Sequence, residues 1–413
     1  MAEEIAEGFA AFPATRRHAL ERLHAFVPRM GSAYARERGF DPGPEHRNAI
    51  SALSPFHAHR LLLEEETVLA ALQAHGLKGA EKFISEVYWR TYFKGWLESR
   101  PSVWVRYLDQ VSRDLASLST EDKARYEAAI RGATGLEPFD HWAKELVQRG
   151  YLHNHVRMWF ASIWIFTLGL PWALGADFFY RHLLDGDAAS NTLSWRWVAG
   201  LHTSGEPYGA RADNISKYTN GRFNPEGLLN ENPQGLSDDW NGAPGPVPAP
   251  QPPERGVPTI LLLHEDDLGF ESLSLAGLDV VAIAGITVTD DRSPEGVSED
   301  VKRFAIDAVE DALSRANEDL FIPTVKLANP DGLPDFAKQH GAAQVVYGYA
   351  PVGPVQDRLQ AAAPGWRNAG LSAYPILRDY DREAWPHATK GFFKLREKIG
   401  ELTDKVLARS SES

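Results

Sequence analysis

The sequence predicts a mixed fold, in which an all-α domain is followed by an α/β domain with a parallel, Rossmann-like sheet. Three observations predict it. Apolar residues recur at helical spacing through residues 81–97 and 139–168, with few β-branched runs. A proline-rich stretch at residues 242–254 then divides the chain. Beyond it, short β-branched apolar runs alternate with amphipathic segments, which is typical of a parallel sheet covered by helices.

The domain boundaries follow these changes in composition. We predict a helical domain over residues 1–240, a linker over 241–255, an α/β domain over 256–402 and a tail over 403–413. Nine of the 12 tryptophans precede residue 200. Large aromatic side chains bury much area each, so they are suited to filling the core of a helical domain.

The α/β block predicts alternating strands and helices. Its strand candidates are the apolar runs at residues 259–263, 280–286, 321–327, 344–349 and 372–376. A long helix is expected over residues 298–317, where Ser298 is a good N-cap, and shorter ones near 333–340 and 355–363. No G-x-G-x-x-G or P-loop sequence opens a helix there, so nothing in this block indicates a nucleotide site.

Composition restricts the classes of function. The formal charge of the chain is −13, so binding to nucleic acid would require a local basic patch. The chain has no cysteine, which excludes disulfides, zinc–thiolate sites, iron–sulfur clusters and cysteine nucleophiles. The first 11 residues carry three glutamates and no apolar core, unlike a signal peptide. The apolar stretch at residues 158–174 is interrupted by Gly169 and Pro171 and reads as a buried helix. We expect a cytoplasmic protein without a membrane partner.

Two stretches are polar where a helical core should be apolar. The first, residues 151–158, places Asn154 and Arg157 on one helical face. The second, residues 184–197, has Asp185 and Asp187 on either side of a glycine. Hard-cation loops need several further oxygen ligands, which the following alanines do not supply, so we predict no metal. A carboxylate pair for acid–base hydrolysis remains an alternative, but the neighbouring tryptophans favour a redox-active aromatic cofactor.

These stretches resemble the photolyase and cryptochrome family in four segments that follow the family's order. Asp185-Gly-Asp-Ala-Ala-Ser-Asn191 with Ser194-Trp-Arg-Trp197 resembles the family's flavin-binding signature. The other three are Ser51-Ala-Leu-Ser-Pro-Phe56, preceded by residues 34–38, then Glu86-Val-Tyr-Trp-Arg90, and Gly150-Tyr-Leu-His-Asn-His-Val-Arg-Met158. The resemblance covers about residues 34–200 and implies that the helical domain binds FAD.

The resemblance also implies which residues contact FAD. Ser51 and Ser54 would contact the diphosphate, Asn191 would face the flavin N5, and Asp187 would accept a hydrogen bond from the ring N3–H. Arg157 and Asp185 would form a charged pair beside the ring, although the same pair would also serve to tie two helices together. The complete set is Tyr34, Ser51, Leu53, Ser54, Phe83, Glu86, Arg90, Asn154, Arg157, Asp185, Asp187 and Asn191.

For function, the resemblance implies a blue-light-driven deoxyribodipyrimidine photolyase, a lyase that splits cyclobutane pyrimidine dimers in damaged DNA, single- or double-stranded. Its catalytic residues would be Glu86, Trp89, Met158, Asn191 and Trp197, with the two tryptophans on either side of a flipped-out dimer. Electrons would pass through Trp195 and Trp172. His153 and His155 are spaced by two, so one of these side chains is expected to face away from the pocket.

Several positions depart from the family pattern. His155 stands where many dimer photolyases carry an arginine, and Phe83 replaces a tryptophan at the adenine end. No third tryptophan lies near Ser119, so an exit through Trp159, Trp164 or Tyr126 is expected instead. The acidic charge and the missing arginine favour the alternative function, a cryptochrome-like photoreceptor that signals to a protein partner by FAD photoreduction without repairing DNA.

The order of the two domains is the reverse of the family's order, in which an α/β antenna domain comes first. Residues 333–347 resemble the late helix–strand unit of that domain, and residues 388–396 faintly resemble its closing segment. We interpret this as a circular permutation, with an unrelated α/β domain as the alternative. The resemblance does not by itself establish a second, antenna chromophore.

Overall fold

The computed structural model describes residues 12–202, 205–238 and 240–412. Helices dominate its first half, as the spacing of apolar residues predicts. They are α1 (Arg16–Phe26), α2 (Ser32–Glu37), α3 (Ser54–Ala58), α4 (Glu64–Glu98), α5 (Ser102–Ser117), α6 (Thr120–Ile130), α7 (Glu137–Arg149), α8 (Asn154–Ser162), α9 (Trp172–His182), α10 (Ala188–Val198) and α11 (Ala212–Tyr218).

The long helix α4 is broken at one residue. Gly76 has φ 65° and ψ 166°, a conformation that glycine adopts at little cost because it lacks a Cβ. The part of α4 beyond this break carries the residues predicted to line the substrate pocket. A π-helical turn at Ile163–Thr167 follows α8, and such turns are frequent at functional sites.

The second half is a parallel five-stranded sheet with the order β3-β2-β1-β4-β5. Its strands and helices are β1 (Pro258–His264), β2 (Asp279–Ile286), α12 (Glu299–Leu320), β3 (Thr324–Lys326), α13 (Leu333–Gln339), β4 (Gln344–Gly348), α14 (Pro354–Asn368) and β5 (Ser372–Ile376). The predicted fold class is therefore confirmed. Strand β3 is shorter than predicted, because Phe321 ends α12 in a left-handed conformation and Pro323 follows it.

Both faces of the sheet are buried, as expected of a parallel sheet. Along β1, Leu261 and Leu263 join the core that the sheet shares with the helical half. The alternate residues Ile260 and Leu262 pack into a separate core with α13 and α14. The period of two along the strand thus sends one set of side chains to each layer.

The two halves are joined by buried charges. Arg60 is 1% exposed and forms ion pairs with Asp267, at 2.9 Å, and with Asp381. Arg378 pairs with the same Asp267 at 2.6 Å. Asp267 lies just beyond the carboxyl end of β1, beside β4, the place where open α/β sheets bind ligands. A ligand bound there would have to displace Arg60.

The last residues return to the helical half. After α15 (Asp379–Ala384), the chain forms α16 (Phe392–Arg396) and α17 (Ile399–Glu412). Both pack against α4. The expected boundary between residues 402 and 403 lies inside α17. In the described part of the chain, no helix is long and apolar enough to cross a membrane.

Candidate functional site

A cavity of about 700 Å³ opens in the helical half, a size within the usual range for small-molecule sites, roughly 300–1,000 Å³. It is bordered by α2, α4, α8, α10 and the loop before α3. All of the predicted site residues except Trp172 line it, namely Tyr34, Ser51, Leu53, Ser54, Phe83, Glu86, Trp89, Arg90, Asn154, Arg157, Met158, Asp185, Asp187, Asn191, Trp195 and Trp197. The structure thus brings together residues that lie up to 163 positions apart in sequence.

Burial divides the lining residues into two groups. Asp185, Asn191 and Phe83 are buried, as is expected of residues that surround an enclosed part of a ligand. Four residues predicted to contact the substrate are only half-buried, and they are Glu86, Trp89, Met158 and Trp197. These four therefore mark the open side of the cavity.

Asp185 connects three segments of the chain. Arg157 donates from Nη2 to Asp185 Oδ2 at 2.8 Å, and Ser54 donates from Oγ to the same oxygen at 2.5 Å. Asp185 Oδ1 is buried and has no hydrogen-bond partner among the residues that the structure describes. A buried, unpartnered carboxylate oxygen costs free energy, so this oxygen is well suited to accept a hydrogen bond from a ligand.

Asp187 is the N-cap of α10 and also an ion-pair partner. It accepts from Ser190 N and Ser190 Oγ, each at 2.8 Å, and Arg90 Nη2 lies 2.9 Å from its Oδ2. Burial alone would raise the pKa of Asp187, but Arg90 and Lys94 lower it below its ordinary value. Asp187 is therefore held as a carboxylate, with both oxygens already engaged by the protein.

Glu86 on α4 is paired with Arg38, which follows α2. Arg38 Nη1 donates to Glu86 Oε1 at 2.5 Å. Burial raises the pKa of Glu86, although Arg38 works in the opposite direction. Because Arg38 engages Oε1, Oε2 remains for a further hydrogen bond at the open side of the cavity.

Helices α9 and α10 approach closely beside the cavity. A Cβ at Gly175 in α9 would overlap the ring of Trp195 in α10, so glycine is required at that position. Asn191, also in α10, donates from Nδ2 to the carbonyl of Ala176 in α9 at 2.8 Å. This bond uses one of the two N–H donors of the amide, so its oxygen and the second N–H are left for a ligand.

Trp172 lies outside the cavity lining, at the start of α9. Its ring centroid is 5.8 Å from that of Trp240, a partly exposed residue. Arg196 lies over both rings, at 5.7 Å from Trp172 and 5.0 Å from Trp240, and also binds Asp238. A second series of aromatic contacts starts at Trp195. Its ring centroid is 6.2 Å from that of Trp164, and the Trp164 centroid is 6.0 Å from that of Tyr126.

The two histidines of the motif both border the cavity, so the expectation that one faces away is wrong. Helix α8 begins only at Asn154, and His153 precedes it as its N-cap, accepting from the backbone N of His155. His153 donates to the carbonyl of Arg38 at 3.1 Å, and His155 donates to that of Gly39 at 2.8 Å. Both rings thus anchor the chain that follows α2.

One contact of the predicted substrate pocket comes from the other end of the chain. Phe392 in α16 stacks on Trp89, with centroids 3.8 Å apart and an angle of 13° between the rings. Phe392 itself is buried. One face of the Trp89 indole is therefore covered by the protein, and Trp89 also lines the cavity.

Sequence reasoning missed three of these residues. Arg38 lies within the segment quoted for the resemblance, and its charge four residues after Tyr34 was an available signal. Trp240 and Phe392 carried no such signal, because their partners are 68 and 303 residues away.

Comparison with known proteins finds a similar domain for much of the helical half. Residues 83–228 match the FAD-binding domain of DNA photolyase. This part of the chain is similar to the FAD-binding domain of DNA photolyases. The photolyase match covers Glu86, the α8 motif and the signature from Asp185 to Trp197, which are the segments that surround the cavity.

Several curated proteins and solved structures resemble the chain. The deoxyribodipyrimidine photo-lyase of Thermus thermophilus is 35% identical over 192 residues, covering 46% of this chain and 44% of the relative. The deoxyribodipyrimidine photo-lyase of Escherichia coli is 29% identical over 211 residues, covering 48% of this chain and 42% of the relative. A bacterial class III photolyase from Agrobacterium tumefaciens has a TM-score of 0.44 at 28% identity, covering 52% of this chain and 45% of that one. The chain thus spans less than half the length of the curated relatives it matches.

The residues present fit an FAD molecule. The cavity offers an unpartnered buried acceptor at Asp185 Oδ1, fixed cations at Arg157 and Arg90, and aromatic walls. The loop before α3 contains Ala52 with φ 46°, a strained conformation that is enriched at ligand sites. Ser54 is committed to Asp185, which leaves Ser51 as the hydroxyl of that loop available to a diphosphate.

Proposed function

We propose that this protein is an FAD-dependent, light-driven DNA photolyase that splits cyclobutane pyrimidine dimers. One observation carries the proposal: the open side of the cavity combines a carboxyl group, two indoles and a thioether, from Glu86, Trp89, Trp197 and Met158. Flat faces and a hydrogen-bonding group are what a base removed from the stack requires. The relatives named photo-lyase support the same reaction.

FAD, when bound, supplies the light-driven electron transfer, and the protein binds and orients the reactants. The proposed cofactor contacts are the residues predicted from sequence other than Glu86 and Asp187, with Arg157 and Asp185 as the charged pair beside the ring. Asp187 has a different role from the one expected, because Ser190 and Arg90 already occupy its carboxylate. We assign it to fixing the start of α10 and the position of Arg90.

Glu86 is the proposed hydrogen-bonding group for the dimer. Burial raises its pKa, against the effect of Arg38, and Arg38 engages only Oε1, so Oε2 is left to hydrogen-bond the edge of a base. Arg38 holds Oε1 in place, so the orientation of the group is fixed before the substrate arrives. Such preorganisation reduces the entropy that binding must overcome.

For electron transfer we propose Trp195, Trp172 and, as the exit to the surface, Trp240. The contact between Trp172 and Trp240 at 5.8 Å and the partial exposure of Trp240 support this route. The path through Trp164 to the buried Tyr126 is the competing one.

A cryptochrome-like photoreceptor is the second candidate. It is supported by the charge of −13 and by His155, a neutral backbone anchor where an arginine would contact the DNA. Burial lowers the pKa of His155, which disfavours the charged ring that a phosphate would attract.

We also propose the domain permutation predicted from sequence, with the α/β half as the relocated antenna-like domain. The strand order β3-β2-β1-β4-β5 is compatible with it. Since Arg60 occupies the ligand crevice of this sheet, FAD is the only cofactor that we propose.

The decisive experiment is a repair assay. The full-length protein, with reduced FAD bound, is incubated with a single-stranded oligonucleotide containing one thymine dimer under blue light, and a dark sample is the control. The photolyase proposal predicts that dimer is lost only in the light. Unchanged dimer in a sample whose flavin responds to light would reject repair and favour the photoreceptor.

Glu86→Ala tests the assigned role. We expect at least tenfold slower repair with unchanged FAD content, because the loss removes a substrate contact on the open side of the cavity. Glu45→Ala is the control, since Glu45 is an exposed acid paired with Arg149. Loss of flavin from the Glu86 variant would contradict the role.

A further inference from the structure

A short C-terminal segment lies along the open side of the cavity. Arg100, two residues beyond the end of α4, donates to the carbonyl of Thr389 at 2.9 Å. Seven residues on, Arg396 pairs with Glu81 of α4 at 2.8 Å. Between these two points Phe392 stacks on Trp89. Residues 389–398, here called the C-terminal rim, therefore run antiparallel to α4 and past the indole that lines the cavity.

The exposed face of the C-terminal rim combines one aromatic ring with cations. The next residue after the stacked Phe392 is Phe393, which is 70% exposed. The four cations of the C-terminal rim are also exposed, and they are Lys390, Lys394, Arg396 and Lys398. Glu397 is the one acid in this segment, so its net charge is +3 in a chain of net charge −13.

The ion pairs of these cations do not prevent them from binding another anion. Lys394 pairs with Glu397 at 3.1 Å and Lys398 pairs with Glu401 at 3.1 Å, with every side chain more than 40% exposed. Exposed ion pairs contribute little net free energy. A phosphate can therefore replace the carboxylate at little cost.

One exposed aromatic ring among exposed cations fits single-stranded nucleic acid better than a protein partner or a lipid surface. A single exposed ring surrounded by cations provides no contiguous apolar patch for a protein partner. Unpaired bases, in contrast, stack on isolated aromatic rings, and their backbone phosphates require nearby Lys or Arg. The C-terminal rim also meets the requirement for a local basic patch on an acidic protein.

We propose that the C-terminal rim binds the DNA strand next to the base held in the cavity. Phe393 stacks on an unpaired neighbouring base, and Lys390 and Lys394 contact the adjacent phosphates. The Phe392–Trp89 stack fixes the distance between this contact and the cavity. The inference rests on the proposed function, because it assumes a DNA substrate at the open side of the cavity.

The test measures DNA binding in the dark. A fluorescein-labelled single-stranded oligonucleotide with one thymine dimer is titrated with the FAD-loaded, full-length protein, and anisotropy gives Kd. We expect Phe393→Ala to raise Kd about fivefold or more, as for the loss of one base–aromatic stack. The double variant Lys390→Ala, Lys394→Ala should reduce the slope of log Kd against log salt by about 0.7 for each lost phosphate contact.

Matched variants elsewhere on the surface provide the controls. Phe321→Ala removes an aromatic ring that is 87% exposed at the end of α12. Lys123→Ala with Lys338→Ala removes two exposed lysines from α6 and α13. Both should bind the oligonucleotide as the parent does, and flavin absorbance should be equal in all variants.

The outcomes separate this inference from the proposed function. If the parent repairs the dimer but the rim variants bind it with unchanged Kd, the inference is overturned and the photolyase proposal stands. Equal losses in the rim and control variants would also overturn it, as would an effect of Phe393→Ala on self-association alone. If the parent neither binds nor repairs the dimer, the photolyase proposal fails, and this inference fails with it.

Discussion

At the scale of single residues, Asp185 shows how one carboxylate organises the site. Its Oδ2 accepts from Ser54 and Arg157, which belong to segments 131 and 28 residues away. The residue type and its neighbours follow from the sequence, and the resemblance implied the pairing with Arg157. The bond from Ser54 was not expected, because a hydroxyl ahead of a short helix has several partners within reach.

Asp185→Asn tests this organisation. The substitution keeps the shape of the side chain but removes the charge that holds Arg157, so the flavin environment should loosen. We expect FAD to bind about tenfold more weakly, equivalent to about 1.4 kcal/mol, as measured by titrating FAD into the apoprotein.

Asp213→Asn is the control for that experiment. Asp213 also pairs with an arginine, Arg211 at 3.0 Å, but both side chains are more than 60% exposed. Its loss should leave FAD affinity unchanged. Equal FAD affinity in the Asp185 variant and the parent would remove Asp185 from the proposed set of cofactor contacts.

At the scale of elements, the approach of α9 and α10 determines the aromatic contacts. Gly175 allows the Trp195 ring to lie against α9. Arg196, the next residue of α10, binds Asp238 and so holds the segment that carries Trp240. The sequence predicts these helices from their apolar spacing. It does not predict Trp240, because that residue lies in a segment without regular structure whose position depends on one buried arginine.

Trp240→Phe tests the proposed exit for electrons. Phenylalanine keeps an aromatic ring against Trp172 but is far harder to oxidise than indole, so light-driven FAD reduction by an external reductant should slow at least tenfold. The measurement is the decay of flavin absorbance under blue light. Tyr126→Phe examines the competing path and should leave the rate unchanged. A slow Tyr126 variant beside a normal Trp240 variant would assign the exit to Trp164 and Tyr126.

At the scale of the whole molecule, the two halves form a common structure through buried polar contacts. Glu98, at the end of α4, accepts from the backbone N of Val352 at 2.6 Å and from Tyr349 Oη at 2.9 Å. Burial raises the pKa of Glu98 from 4.5 to about 7, although these two hydrogen bonds lower it. The carboxyl thus binds a proton more tightly in the folded protein than in the unfolded chain.

This shift predicts a pH dependence of stability. Between pH 4.5 and about 7 the folded state holds more protons at Glu98 than the unfolded state does, so stability falls as pH rises through this window. Glu98→Gln remains uncharged throughout. We expect the Tm of the parent to fall more between pH 5 and pH 8 than that of the variant. The corresponding loss in the free energy of unfolding is a few kcal/mol at most, at about 1.4 kcal/mol per unit of pKa shift.

The exposed Glu121 provides the control, because Glu121→Gln should leave the pH profile of the parent unchanged. If Tm changes with pH equally in the parent and in Glu98→Gln, the Glu98 carboxyl does not cause the pH dependence of stability.

Local signals explain how much of the protein was predictable. The helical spacing, the proline-rich divide and the alternating strands gave the fold class, and four short motifs gave residues that line one cavity. The predicted ends of helices and strands were less accurate where the backbone conformation of one residue decides them, as at Phe321 after α12 or at His153 before α8. The wrong expectation for the two histidines follows from that second boundary.

The sequence by itself determined the elements and the chemistry of the cavity, because both depend on residues a few positions apart. Only the tertiary structure decided that Phe392 covers one face of Trp89, that Arg60 occupies the crevice of the sheet and that Trp240 meets Trp172. These contacts join residues 303, 207 and 68 positions apart. Which residues meet in these contacts depends on how the helices and the sheet pack, and this packing cannot be predicted from the periodicity of the sequence.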